Sequence, residues 1–173
     1  MEEVLIVDGY NMIGAWPELN RLKEDRLEEA RDRLIEMLSD YRGYSGQRVI
    51  LVFDAYKVPG LGASYKQHRL EVIYTKEKET ADECVERLVK DLKRRKRSII
   101  VATSDFTEQH VAFAQGALRM SARELLIELT AARQEVRKRL EEPTERVLNP
   151  LEGRLSGEMQ DILERWRRGN RQE

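Results

Sequence analysis

Three short runs of apolar, mostly β-branched residues mark the chain, at residues 4–7, 49–53 and 99–102. Runs of about four to six residues without polar alternation are typical of strands that are buried on both faces, as in a parallel sheet. A fourth run, residues 70–74, mixes polar with apolar positions, and we expect it to lie nearer an edge. The pattern therefore predicts a largely parallel sheet.

Between these runs, apolar residues recur at intervals of three and four, which predicts amphipathic helices. The second of these helices has a capping box at its start, formed by Thr80 and Glu83. The four helices are predicted to begin near Leu27, Thr80, Asp105 and Ser121, the first ending near Gly43 and the third before Gly116. Because strands and helices alternate, the predicted fold class is α/β, with helices packed on the sheet.

The C-terminal part differs in composition from the rest of the chain. From about Arg133 it is dense in charge and is interrupted by Pro143, Pro150 and glycines. A chain of 173 residues has the usual size of a single domain. We therefore predict one α/β domain over residues 1–132 and a charged helical extension over residues 133–173, packed on the domain or flanking it.

Charge and cysteine content narrow the function classes. With 31 basic and 32 acidic residues the chain is not a general polycation, so any nucleic-acid contact must come from local clusters. A single cysteine excludes an internal disulfide framework and a cysteine-based zinc module. No basic leader segment opens the chain, and no apolar stretch approaches the ~18 residues of a membrane span. We expect a soluble, cytoplasmic protein without a membrane partner.

An aspartate follows each of the three apolar runs: Asp8, Asp54 and Asp105. In a parallel α/β sheet the carboxyl ends of the strands lie at one edge, where such folds bind ligands. Asp82 lies in the first turn of the second predicted helix, and a helix that follows a parallel strand starts at this same edge. The sequence therefore predicts that four carboxylates from distant parts of the chain converge.

Such a cluster requires neutralisation, because two like charges ~4 Å apart cost roughly 4 kcal/mol at an effective dielectric constant of about 20. The two histidines, His68 and His110, have no partners at metal-ligand spacing. An oxygen-rich site of this kind favours a hard cation, Mg²⁺ or Mn²⁺. A hard cation can activate water for phosphodiester cleavage, alone or as one of a pair. The expected reaction is metal-assisted hydrolysis.

Each aspartate also has a purely structural interpretation. Asp105 can cap the third helix, with Glu108 at the partner position of a capping box. Asp82 in a first turn is favoured by the helix dipole, while Asp54 and Asp8 suit the turns that follow their strands. Taken separately, these interpretations do not predict that all four acids meet at one edge.

Four motifs in this order resemble those of a known family: VDGYN at residues 7–11, VFD at 52–54, TAD at 80–82 and TSD at 103–105. They resemble the successive motifs of the NYN domain, a branch of the PIN-like nucleases, and within it the bacterial YacP-like group. The resemblance covers about residues 1–130. The combination in this order is specific, whereas the first motif alone is only moderately so.

The resemblance implies a PIN-like three-layer α/β/α sandwich with a mainly parallel sheet and a Mg²⁺-dependent endoribonuclease site. It implies that Asp8, Asp82 and Asp105 are the metal ligands. Asn11 matches the motif asparagine, which would orient the first ligand or bind substrate, and Asp54, after the second strand, completes the catalytic group. The YacP-like group is further associated with mRNA cleavage on the translating ribosome, which implies RNA and the ribosome as partners.

The strongest basic cluster lies at the far end of the second predicted helix. It is about 20 Å from Asp82 at a rise of 1.5 Å per residue, too far to hold the scissile phosphate. We interpret it as a docking patch for distant phosphates, with a solvated helix end as the alternative. Its members are Lys90, Lys93, Arg94, Arg95, Lys96 and Arg97.

A glycine-containing segment, residues 56–66, leaves the second strand at the edge that carries the acids. Its Lys57, Tyr65 and Lys66 are candidate RNA contacts, because aromatic rings stack on bases and lysines bind phosphates. Tyr10 and Trp16 are expected to border the same edge. The alternative is a plain connecting loop.

The leading hypothesis is thus a metal-dependent endoribonuclease that acts on single-stranded RNA. A non-catalytic RNA- or ribosome-binding module is the first alternative, in which the acids only cap helices. A receiver-like signalling domain with Asp54 as phosphoacceptor is the second. That site needs an acidic pair after the first strand, where this chain has Asp8 and Gly9.

Overall fold

The computed structural model describes residues 2–55, 70–95, 97–141, 162, 164 and 165, together with the backbone of residues 64–67. The chain divides into two compact units, Met1–Val136 and Arg137–Glu173, and the fold below is that of the first. The described strands are β1 (Glu3–Asp8), β2 (Arg48–Phe53), β3 (Ser64–Gln67), β4 (Leu70–Tyr74), β5 (Ser98–Ala102) and β6 (Leu118–Met120). The described helices are α1 (Gly9–Ala15), α2 (Pro17–Asn20), α3 (Leu27–Ser45), α4 (Ala81–Lys93), α5 (Phe106–Ala114) and α6 (Ala122–Glu141).

The strands form one sheet in the order β3-β4-β2-β1-β5-β6. Five of them run parallel, and β3 pairs antiparallel with β4 at one edge. The central strand β1 hydrogen-bonds to β2 on one side and to β5 on the other, so both of its edges are paired. These pairings confirm the predicted α/β class and its mainly parallel sheet.

Helices cover both faces of the sheet, which makes the fold a three-layer sandwich. Leu5 and Val7 of β1 point into a core with residues of α1, α3 and α6, whereas Val4 and Ile6 point into a core with residues of α4 and α5. This two-sided burial explains why the run has no polar alternation. No helix in the described part of the chain is long and apolar enough to cross a membrane.

Four short elements were not predicted from the sequence: α1, α2, β3 and β6. The segment expected to be a loop up to Lys66 already forms β3 from Ser64, and residues 56–63 lie outside the described residues. None of these four short elements contains a continuous run of four apolar residues or two turns of a helical period, so tertiary pairing decides them.

Trp16 corrects a further expectation, because it lies in the core rather than at the edge that carries the acids. Its side chain is 2% exposed, and its Nε1 donates a hydrogen bond to the Ala122 carbonyl at 2.8 Å. Tyr10 is half-buried, with its ring 5.1 Å from that of Phe53. Trp16 therefore joins α1 to the start of α6 and is not available to nucleic acid.

Candidate active site

The candidate site lies at the carboxyl end of β1, where the order of strands reverses. The chain passes from β1 to β2 on one side, and α4 later carries it from β4 across to β5 on the other. In open parallel sheets such a reversal leaves a crevice that binds ligands. Asp8 is the last residue of β1 and lies at this reversal.

Three carboxylates meet there: those of Asp8, Asp82 and Glu108. One oxygen of each side chain lies within 4.8 Å of the others. Asp82 is in the first turn of α4, and Glu108 is in the first turn of α5, so each side chain comes from a different element. We call these three residues the acidic triad.

Burial is graded across the acidic triad. Glu108 is 2% exposed and Asp8 9% exposed, whereas Asp82 is exposed to solvent. The triad is therefore closed at Glu108 and open at Asp82, so a ligand would approach from the side of Asp82.

Among the described residues, the charged form of Glu108 lacks the hydrogen-bond donors that a buried carboxylate needs. Neither of its oxygens accepts a hydrogen bond from a donor in the part of the chain that the structure describes. The pKa of Glu108 is raised to about 10. Burial is the largest cause, followed by the negative charge of Asp8 and a hydrogen bond between Glu108 and Asp8. Burial also raises the pKa of Asp8, against hydrogen bonds from Glu108 and the Asn11 amide that lower it. Without a cation, the triad holds a proton at neutral pH.

The residues fit a divalent cation. Oxygen atoms of three carboxylates are the ligands that Mg²⁺ and Mn²⁺ prefer, and two of the three are held in a buried position. A buried carboxylate without donors is destabilising unless a cation or a proton compensates it. Asp8, Asp82 and Glu108 are thus the residues that would hold the ion.

Asp8 is oriented by its neighbours. Its Oδ1 accepts the Asn11 amide at 3.4 Å as the N-cap of α1, and its Oδ2 accepts the Thr103 hydroxyl at 3.5 Å. The Asn11 side chain in turn accepts the Ser104 amide through Oδ1 at 2.7 Å. Asn11 therefore joins α1 to the β5–α5 connection and positions both sides of the site.

Gly9 is required by close packing immediately after Asp8. A Cβ atom at this position would overlap the ring of Phe53 and lie 3.0 Å from the Val52 carbonyl oxygen. Only glycine lets α1 start this close to β2, which explains the glycine of the VDGYN motif in physical terms.

Asp105 occupies the position that its structural interpretation predicts. Its Oδ1 accepts the amides of Thr107 at 2.9 Å and Glu108 at 3.4 Å, so it is the N-cap of α5. Its charge contributes to the raised pKa of Asp8, which places it near the acidic triad. The structure does not bring Asp105 into the group of oxygens within 4.8 Å, where Glu108 stands instead.

Glu108 is the site residue that sequence reasoning missed. The sequence assigned it to a capping box, and the signal that could have revealed it is its spacing of three from Asp105. This spacing puts both side chains on one side of the first turn of α5. Only the packing of α4 beside α5 determines that Glu108 points toward Asp8 and Asp82.

Asp54 follows β2 at the same edge and is half-buried. It does not belong to the acidic triad. Its charge acts on Tyr10, whose pKa is raised chiefly by burial and lowered by the hydrogen bond from Arg31. Asp54 and Tyr10 thus form a separate polar group beside the triad.

Most described members of the predicted basic cluster have structural partners. Lys90 pairs with Glu86 at 2.8 Å, and Arg97 pairs with Glu2 at 2.9 Å. The Lys93 ammonium donates to the Gln115 carbonyl at 2.6 Å and so caps the C-terminus of α5. Arg94 and Arg95 are exposed at the end of α4.

The remaining predicted RNA contacts give less information. Lys57 and Lys96 lie outside the described residues, as does His68. Tyr65 and Lys66 belong to β3, whose backbone alone is described.

The chain is similar to known proteins in sequence and in fold. Residues 5–168 match the family model of the YacP-like NYN domain. The chain is 50% identical over 173 residues to the uncharacterized protein YacP of Bacillus subtilis (strain 168), covering 97% of this chain and 98% of that protein.

Two solved structures are similar to the fold. The crystal structure of Rae1 (YacP) from Bacillus subtilis matches with a TM-score of 0.73 and 50% identity, covering 96% of this chain and 95% of that one. A mutant of the same protein matches with a TM-score of 0.70 and 52% identity over 79% of each chain.

Proposed function

The chain belongs to the family of YacP-like NYN domains, and from that premise we propose that it is a Mg²⁺-dependent endoribonuclease. Membership of this family and the acidic cluster make it a nuclease-like protein. The observation that carries the proposal is the acidic triad, three carboxylates from three elements at the ligand-binding edge of the sheet.

Each residue of the site has a distinct role in the proposed reaction. Asp8, Asp82 and Glu108 would hold the cation, which would supply the positive charge that activates a water molecule and stabilises the leaving oxygen. Glu108 must release its proton before it can act as a ligand, so cation binding is coupled to proton release. Asn11 keeps the β5–α5 connection, and with it Glu108, in place beside Asp8.

The proposed substrate is single-stranded RNA, cut by water at phosphorus to leave 5′-phosphate and 3′-hydroxyl ends. We propose further that the RNA is mRNA on the translating ribosome in the cytoplasm. Family membership supports this context, and the exposed Arg94 and Arg95 offer cations for a distant RNA contact.

Asp82→Asn tests the proposal, because it removes a ligand charge from the exposed side of the triad with little change in volume. We expect cleavage of single-stranded RNA in Mg²⁺ to fall by about 100-fold or more. Asp91→Asn, the same change farther along α4, is the matched control and should leave the rate unchanged.

Isothermal calorimetry separates the nuclease from a non-catalytic RNA-binding module. The wild type should bind Mn²⁺ at a specific site, and Asp82→Asn should bind it more weakly. A folded Asp82→Asn protein that cuts RNA at the wild-type rate would refute the assignment.

A further inference from the structure

One face of α5 carries a row of exposed aromatic rings. Phe106 is 78% exposed and Phe113 63% exposed, and His110 between them is exposed as well. Spacings of four and three residues put these side chains on the same side of a helix. We call Phe106, His110 and Phe113 the aromatic stripe.

The aromatic stripe begins in the first turn of α5, the turn that also carries Glu108. Phe106 directly follows Asp105, the N-cap of α5, and precedes Glu108 by two residues. At 3.6 residues per turn, two residues correspond to about 200°, so the stripe lies on the side of α5 opposite Glu108. It therefore starts about one helix diameter, roughly 10–12 Å, from the acidic triad and leads away from it.

Beyond Asp105, the exposed N-cap of α5, the segment that carries the stripe has a charge that suits a polyanion. Residues 106–120, all of which the structure describes, contain Glu108 as their only acid, and its side chain is buried. At the far end, the Arg119 guanidinium of β6 lies 5.9 Å from the centroid of the Phe113 ring, a cation–π distance. Arg119 is thus an exposed cation beside the exposed ring of Phe113, and residues 106–120 contain no exposed carboxylate.

The spacing of the rings matches a stacked nucleic-acid strand. Phe106 and Phe113 are seven residues apart, which is about 10.5 Å along the helix axis at 1.5 Å per residue. Nucleotides in a stacked strand rise about 3.4 Å each, so three steps span the same length. Aromatic rings stack on bases with little dependence on sequence, so Phe106 and Phe113 suit two bases that are three steps apart.

We propose that the aromatic stripe binds the bases of single-stranded RNA on the strand that leads to the acidic triad. Phe106 stacks the base that is nearer the acidic triad, and Phe113 with Arg119 holds the strand farther out. This inference rests on the proposed nuclease function, since it takes the same RNA as its ligand. It makes Phe106 and Phe113 positioning residues rather than catalytic ones.

Binding of a 12-nucleotide single-stranded RNA that contains 2-aminopurine tests the stripe. EDTA in the buffer prevents metal-dependent cleavage, so binding is measured apart from activity. We expect Phe106→Ala and Phe113→Ala each to raise Kd by about tenfold, with loss of the 2-aminopurine quenching that reports stacking. Phe106→Tyr keeps the ring and should bind as the wild type does.

Tyr44→Ala is the matched control. Tyr44 is 41% exposed near the end of α3, which packs on the other face of the sheet from α5, and its removal should leave Kd unchanged. The proposal would be overturned if the folded Phe106→Ala and Phe113→Ala variants had the same Kd and the same quenching as the wild type.

Two further measurements distinguish RNA stacking from a protein contact and from cleavage itself. If the double variant Phe106→Ala/Phe113→Ala binds RNA normally but changes the mass found by sedimentation velocity, the stripe is a contact between protein copies and the proposal is wrong. Cleavage of RNA by the wild type in Mg²⁺ is scored separately. Stacking without cleavage would refute the nuclease function alone, and cleavage without stacking would refute the stripe alone.

Discussion

At the scale of single residues, the charged form of Glu108 lowers the stability of the folded state. Its carboxyl group is buried beside Asp8 and has no hydrogen-bond donor among the described residues. A group of this kind costs stability when charged, and proteins place such groups where a ligand compensates them. The cost of Glu108 in the metal-free protein is therefore a measurable property of the candidate site.

We predict that Glu108→Gln stabilises the metal-free protein at alkaline pH. The pKa of Glu108 is raised in the folded state, so the folded state binds more protons than the unfolded chain above pH ~4.5. Stability of the wild type should thus fall as pH rises from about 5 to 8. Asp8, whose pKa is also raised, contributes in the same direction.

Urea unfolding in EDTA at pH 5 and pH 8 measures this effect. At pH 8 the free energy of unfolding of Glu108→Gln should exceed that of the wild type by about 2 kcal/mol. Glu77→Gln, at an exposed position, is the control. Added Mg²⁺ should stabilise the wild type more than Glu108→Gln. If the wild type and Glu108→Gln lost the same free energy of unfolding between pH 5 and pH 8, the raised pKa could not be assigned to Glu108.

At the scale of elements, the site depends on how closely α1 approaches β2. Gly9 is the first residue of α1, and its Cα faces the ring of Phe53 with no room for a methyl group. The helix can start there, directly after Asp8, only because glycine occupies the position. The start of α1 also supplies the Asn11 amide that Asp8 accepts.

Gly9→Ala is therefore expected to destabilise the protein by about 1–3 kcal/mol, because the added methyl group overpacks the Phe53 ring. It should also weaken Mn²⁺ binding, since α1 must shift and carry Asp8 with it. Thermal unfolding and calorimetry measure the two effects.

Gly14→Ala is the matched control for this prediction. Gly14 lies on the exposed side of the same helix, where the nearest atom to an added Cβ is the Lys23 ammonium at 3.8 Å. Alanine should be neutral or slightly stabilising there, since it is the better helix former. Equal losses of stability in both variants would show that the Phe53 contact is not the cause.

At the scale of the whole molecule, α4 separates two surfaces. Its first turn carries Asp82 of the acidic triad, and its end exposes Arg94 and Arg95. A helix of this length spans about 20 Å, so the two surfaces cannot touch the same phosphate. Lys93 is excluded from the distant surface because it caps α5 through the Gln115 carbonyl.

We predict that the double variant Arg94→Ala/Arg95→Ala binds ribosomes more weakly and keeps its metal site. Each lost phosphate contact should lower the salt dependence of binding by about one power of salt concentration. Co-sedimentation with ribosomes at two salt concentrations measures this. Arg123→Ala/Arg133→Ala, two exposed arginines of α6, is the control. Unchanged co-sedimentation of Arg94→Ala/Arg95→Ala would refute the docking surface.

The layout of the molecule follows from signals that are local in the chain. The apolar runs at residues 4–7, 49–53 and 99–102 form β1, β2 and β5, because strands that are buried on both faces have continuous apolar runs that can be recognised in the sequence. The predicted capping box of Thr80 and Glu83 starts α4. Signals of this kind depend only on neighbours in the chain, so they can be recognised without the fold.

Which acids meet depends instead on long-range packing. Asp105 and Glu108 lie in the same turn, and both are suited by type to a helix start or a metal site. In the structure, Asp105 is the N-cap of α5, and the Glu108 side chain points toward Asp8 and Asp82. Which side of a turn faces inward depends on how α5 packs beside α4 and the sheet, and that orientation is a property of contacts far apart in the sequence.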